Sequence, residues 1–161
     1  MIKEVVGDIL LSGSDLIAHG VAPNDNFGQG LALSLRDRWP ALYKDFRHYC
    51  QTTHPEPGQV WVWTGADRVR IANLLTQEAA YGHGAKPGIA HLDYVNHALR
   101  ELRKVIEKEK IKSIAITKIA TGVGRLDWDD VKPLIAKHLG DMGIPVYVYA
   151  TFKPDVKAQE N

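Results

Sequence analysis

One cysteine, Cys50, stands alone in 161 residues, so no disulfide can form within the chain and a reducing compartment is the expectation. Charge of either sign is not in excess: twenty lysines and arginines meet nineteen acids, a net +1. A protein that tracks nucleic-acid phosphates draws its affinity from clustered cations. The balance argues against that class and leaves room for a small anion held by backbone amides. No apolar run approaches the roughly 18 residues of a membrane span, and Met1-Ile2-Lys3-Glu4 lacks a signal-peptide pattern. A cytoplasmic protein with no membrane partner is expected. Cys50 has only His48 and His54 as neighbours of metal-binding type, so a four-ligand zinc set is missing, and neither metal nor cofactor is expected. Internal repeats, linkers and low-complexity segments are missing too, which at this length implies one domain with a full core, over 1–153, and a charged tail over 154–161 expected to fray.

What is present is an alternation of apolar runs and helical stripes. Glu4–Leu11 reads as a short strand interrupted by Gly7-Asp8, and Leu16–Val21 as a buried strand after the turn Ser12–Asp15. Leu31, Leu35 and Trp39 recur at four-residue intervals and predict a helix. Pro40 ends it or starts the next, which carries Leu42, Phe46 and Tyr49. Gln59–Trp63 and Val69–Leu75 read as adjacent strands joined by Gly65-Ala66-Asp67. A glycine-rich loop, 77–87, contains Tyr81 and His83. Beyond it Leu92, Val95, Leu99, Leu102 and Ile106 form one stripe of a long helix whose other face is a solvated charge run. A strand over 111–119 follows. Asp127, Asp129 and Asp130 then open a helix with Pro133 near its first turn and Val131, Leu134, Ile135 and Leu139 facing the core. Pro145–Ala150 is the last strand. This order predicts an α/β/α sandwich, three layers around a mixed, largely parallel central sheet.

Two stretches stand out within that frame. Ala22–Gly30, dense in turn formers, lies between a strand and a helix, and so does Ala120–Trp128, with Gly122 and Gly124. A glycine loop between a strand and a helix start presents backbone N–H groups and the helix dipole to an anion. Either alone is a common turn; two in one small domain point to a pocket.

Gly7-Asp8-Ile9, Ala18-His19-Gly20 followed by Asn26-Phe27-Gly28-Gln29-Gly30-Leu31-Ala32, and Gly122-Val123-Gly124-Arg125-Leu126-Asp127-Trp128 together resemble the macrodomain family of ADP-ribose-binding modules. The resemblance covers roughly 4–150. It points to the branch of terminal ADP-ribose glycohydrolases, DNA ADP-ribosyl glycohydrolase antitoxins and ADP-ribose 1″-phosphate phosphatases. It implies a pocket for ADP-ribose or an ADP-ribosylated molecule, with nucleic acid a partner only when ADP-ribosylated. Asp8 and Ile9 would meet the adenine. Asn26, Phe27, Gly28, Gly30 and Leu31 on one loop, and Thr121, Gly122, Val123, Gly124 and Arg125 on the other, would hold the pyrophosphate. Phe152 or Tyr149 would stack on the purine. Asn24, Asp25 and Asn26 either contact the distal ribose or shape the turn.

Turnover is the open question. The resemblance places His19 beside the distal ribose, as general acid, nucleophile or oxygen-orienting donor, against the plain alternative of a histidine satisfied within a strand. The terminal glycohydrolases that this chain resembles carry a lysine where it has Gln77 and an aspartate where it has Gly124, so their lysine–aspartate mechanism is not expected. A hydrolase acting at the distal ribose and a non-catalytic ADP-ribose reader both stay open, as does the oligomeric state.

Overall fold

The computed structural model describes residues 1–79 and 88–161. The expected Tyr81 and His83 lie outside the described residues. In chain order the elements are β1 (Ile2–Gly7), β2 (Leu16–Val21), α1 (Gly30–Arg38), α2 (Pro40–Thr53), β3 (Val60–Thr64), β4 (Arg70–Leu75), α3 (Leu92–Glu109), β5 (Ile114–Thr117), α4 (Trp128–Leu139) and β6 (Val146–Phe152). The strands form one sheet in the order β1-β6-β5-β2-β4-β3. All its pairings are parallel except β3 with β4, which is antiparallel. The three-layer α/β architecture expected from the sequence is the one observed.

Period-two alternation in the strands divides the core between the faces of the sheet. Leu16, Ala18, Ile114, Ile116, Val146 and Val148 pack in one cluster with buried residues of α3 and α4. Ile17, Val21, Ala115, Tyr147 and Tyr149 pack in the other with Leu35 of α1 and Leu42 and Phe46 of α2. Strands buried on both faces read as unbroken apolar runs, which is why Ile114-Ala115-Ile116 shows no polar alternation. In α3 the stripe Val95, Leu99, Leu102 and Ile106 is buried, whereas Leu92 is exposed because it begins the helix. The opposite face carries the pairs Arg103–Glu107 and Lys104–Glu101, and Arg103 also reaches Asp141 at 2.6 Å.

Several boundaries differ from the sequence reading. β1 stops at Gly7, because Asp8 caps a single 3-10 turn, Ile9–Leu11, its Oδ1 accepting from Leu10 N at 3.0 Å. β5 is four residues long rather than nine, since β2 pairs with it only through Leu16–Ala18. α4 begins at Trp128, so Pro133 falls in its second turn; it is exposed there, and the carbonyl four residues back can be hydrated. Leu134 is only partly buried.

Where a frayed tail was expected, residues 153–161 fold back on the start of the chain. Lys153 N donates to Gly7 O at 3.1 Å, Asp8 N to Val156 O at 2.7 Å, and Ala158 is buried against Gly7. The segment lacks regular structure but is pinned to the end of β1 by these bonds.

Candidate functional site

The parallel strands all end on one edge of the sheet, the edge at which open α/β sheets bind ligands. A cavity of about 610 Å³ lies there. It runs past the ends of β6, β5 and β2 to Gln77 beyond β4, three strand spacings or roughly 14 Å.

One wall is the start of α1. Gln29, its N-cap, makes no side-chain capping bond, which leaves the first-turn amides of Gly30, Leu31 and Ala32 uncapped, and all three residues line the cavity. Gly30 has φ +61, a conformation that suits glycine. Asp25 shapes the loop before it, accepting from Phe27 N at 2.9 Å and Ala22 N at 3.3 Å. That carboxyl group lines the cavity, and burial pushes its pKa up.

The opposite wall is 119–124. Thr121 Oγ1 donates to Lys118 O at 2.7 Å, and Leu126 N and Arg125 N close turns on Ala120 O and Gly122 O at 2.9 and 3.1 Å. The N–H groups of Thr121, Gly122, Val123 and Gly124 find no partner among the described residues. Gly122 has open space where a Cβ would be. Gly124 has none, its Cβ position lying 2.6 Å from Ala120 O and 2.8 Å from Ala90 Cβ. Gly124 is thus required by packing, and an aspartate does not fit there. α4 adds no dipole to this wall: its N-terminus is capped by Asp127, which accepts from Asp129 N at 3.3 Å, and lies outside the cavity lining. The expectation that both helix starts border the anion pocket is corrected accordingly: the start of α1 lines the cavity, while the second loop reaches it through its own backbone and not through the start of α4.

At one end of the crevice stand Ile9, Tyr149 and the half-exposed Phe152. At the other stand His19, Gly20 and Gln77. His19 is 2 % exposed, and its Nε2 lies 2.7 Å from Asn73 Oδ1. Asn73 donates its Nδ2 hydrogens to Trp61 O and Ile71 O at 3.1 and 3.3 Å, so Oδ1 is the acceptor and His19 carries its proton on Nε2. Burial lowers the His19 pKa to about 4, against the smaller opposing effect of the Asn73 bond. The ring is neutral near pH 7 and offers Nδ1 as an acceptor. Gln77 Nε2 donates to Gly88 O at 3.0 Å, fixing that amide in the wall.

The structure therefore brings together His19, Ile9, Asn26, Gly30, Leu31, Thr121, Gly122, Val123, Gly124 and Phe152 of the residues expected at the site. Four others stand apart from the lining. Asp8 uses both carboxylate oxygens on its own chain, Oδ1 as the cap described and Oδ2 accepting from Asp155 N at 3.0 Å. Phe27 is wholly buried, edge-on to His19 at 5.8 Å and tilted against Phe46. Gly28 N donates to Asn26 Oδ1 at 2.9 Å. Arg125, at φ 65, turns the chain out of the loop. Two residues were missed: Asn73, hidden within an apolar strand, and Lys118, which lines the crevice with its Nζ 5.8 Å from the Trp128 ring centre.

The sequence profile of the Macro domain family matches residues 26–135. The chain is a member of that family. This macrodomain is 26% identical over 168 residues to a DNA ADP-ribosyl transferase–DNA ADP-ribosyl glycohydrolase fusion protein of Thermosipho africanus, covering 95% of the chain and 43% of the relative. It spans less than half the length of the curated relatives it matches. Its fold superposes on the macrodomain of Thermus aquaticus DarG with a TM-score of 0.81 at 26% identity, over 93% of this chain and 98% of that one. The same TM-score, at 21% identity, relates 94% of it to 41% of Thermosipho africanus DarTG, a structure solved in complex with ADP-ribose.

Proposed function

We propose that this macrodomain binds ADP-ribose in the crevice, adenine toward Ile9, Tyr149 and Phe152, pyrophosphate between the two loops, and distal ribose toward His19 and Gln77. One observation carries the reading: residues whose amides have no partner among the described residues line a single cavity from two sides, the start of α1 and Thr121–Gly124. Backbone donors hold an anion without needing net positive charge, which reconciles a pyrophosphate ligand with the near-neutral chain. Calorimetric titration with ADP-ribose tests this. Saturable binding is expected for the wild type and none for Gly122→Glu, whose carboxylate enters the phosphate position; a wild type that ignores millimolar ADP-ribose overturns the reading.

We further propose that the ADP-ribosyl group arrives attached to a larger acceptor, DNA in the first instance, and that the linkage at the distal ribose is hydrolysed. The relatives named as DNA ADP-ribosyl glycohydrolases, matched over nearly the whole chain, support it. Water adds to the anomeric carbon, the bond to the acceptor breaks, and the acceptor leaves with that bond's electron pair and a proton. His19 cannot be the acid near pH 7, since its one ring proton is held on Asn73; Nδ1 can only accept. Asp25 lines the same crevice and accepts backbone N–H bonds on both carboxylate oxygens, so it shapes the loop beside the linkage.

A module that holds ADP-ribose without cleaving it is the second reading, favoured by Gln77, which forms no covalent adduct and is spent on Gly88 O. Incubating wild type, His19→Ala and Asp25→Asn with an ADP-ribosylated oligonucleotide and with ADP-ribose 1″-phosphate separates the two. Release by the wild type that falls in the variants supports hydrolysis. Retention with no release supports the reader.

A further inference from the structure

The tail that folds back on β1 ends in a four-donor carboxylate site. Glu160 Oε2 accepts from Ser12 Oγ at 2.7 Å and from the Tyr149 hydroxyl, and its Oε1 accepts from Ser14 Oγ at 3.1 Å and Gly13 N at 3.2 Å. Tyr149, buried between β1 and β5, is the one member of this cluster that also lines the crevice. The same segment grips Asp8 through Asp155 N and Val156 O, one residue before Ile9, which lines the crevice beside Tyr149. Without these anchors residues 154–161 would be a loose end; as it is, residue 158 is buried and residue 160 half-buried.

We propose that Glu160 is a positioning residue for the purine end of the crevice, holding the Tyr149 ring where an adenine meets it. The inference rests on the ADP-ribose reading and names what sets the shape of one subsite within it. Charge-assisted bonds to hydroxyls and an amide are directional and stronger than neutral ones, and a ring fixed before binding loses less rotamer freedom when the ligand arrives. Glu160 touches no ligand; it acts through Tyr149. Its loss is felt at the purine and not at the phosphates, whose donors lie on loops that Glu160 does not contact.

The test is calorimetry on the full chain with two probes, ADP-ribose and inorganic pyrophosphate, for wild type, Glu160→Ala, Glu160→Gln and Tyr149→Phe. Glu160→Ala is expected to weaken ADP-ribose about tenfold and to leave pyrophosphate within about twofold. Glu160→Gln, which keeps an acceptor for the hydroxyls, recovers most of the loss, and Tyr149→Phe reproduces Glu160→Ala because it cuts the same link. Alkaline titration followed by tyrosine absorbance gives a readout independent of ligand: one phenol ionises at lower pH in Glu160→Ala than in the wild type, since burial and the Glu160 bond both push Tyr149 up. Equal losses for the two probes, or ADP-ribose affinity unchanged in Glu160→Ala, overturn the inference while wild-type binding stands. A wild type that fails to bind ADP-ribose overturns the nucleotide reading and this inference with it.

Discussion

His19 Nε2 donates to Asn73 Oδ1 across 2.7 Å between adjacent strands, β2 and β4, where the two residues are register partners. That bond sets the tautomer at the crevice floor, and burial sets the charge. With the pKa lowered from 6.5 to about 4, the folded protein refuses a proton that the unfolded chain accepts. Stability from this group is whole above pH 6.5 and falls as pH drops toward 4, by about 3 kcal/mol over the full window. Urea unfolding at pH 7.5 and pH 4.5 is expected to show that loss in the wild type and a smaller one in His19→Gln. Equal losses in the two proteins contradict the assignment.

The two glycines of the second loop should part ways. Gly122→Ala meets nothing, so its stability should stay within about 0.5 kcal/mol of wild type. Gly124→Ala forces a Cβ onto the Ala120 carbonyl and should cost about 1–3 kcal/mol. Thermal unfolding followed by circular dichroism compares them directly, and a neutral Gly124→Ala refutes the packing account.

Phe27 lies in the loop before α1, between Asn26 and Gly28, yet serves the core. Phe27→Ala should cost about 3–5 kcal/mol, because its ring fills the space between His19, Tyr43 and Phe46. Guanidinium denaturation measures it; a loss confined to ADP-ribose affinity with stability unchanged speaks for a ligand contact instead.

Cys50 is buried, accepts from Asn24 N at 3.5 Å, and burial pushes its thiol pKa up. Ellman's reagent should therefore label it only on unfolding. Rapid labelling of the native protein at pH 8 contradicts this.

Much of the fold was legible because strands and helices differ in period, and Leu99-x-x-Leu102 cannot be mistaken for Ile114-Ala115-Ile116. The two loops were legible for the same reason: glycines between a strand and a helix mark where the backbone must approach something. What escaped notice depends on register and distance. Asn73 is one polar residue in Ile71-Ala72-Asn73-Leu74, and only the side-by-side pairing of β2 with β4 makes it His19's partner. Glu160 meets Ser12 across 148 positions, beyond any local pattern. Phe27 and Arg125 lie beside loop glycines, but their positive φ values send the backbone a different way from its neighbours. Asp8 was expected to meet the adenine; its Oδ1 caps the 3-10 turn, and the segment that occupies its Oδ2 comes from the other end of the chain.

Ala90 N donates to Gly124 O at 3.0 Å, and Gln77 is bridged to Ala90. The wall at the distal end of the crevice is thereby bolted to the loop at its middle, with Gly124 leaving no slack between them. In the proposed ADP-ribose pose, the phosphate subsite and the distal-ribose subsite would then share one rigid wall rather than two that move independently.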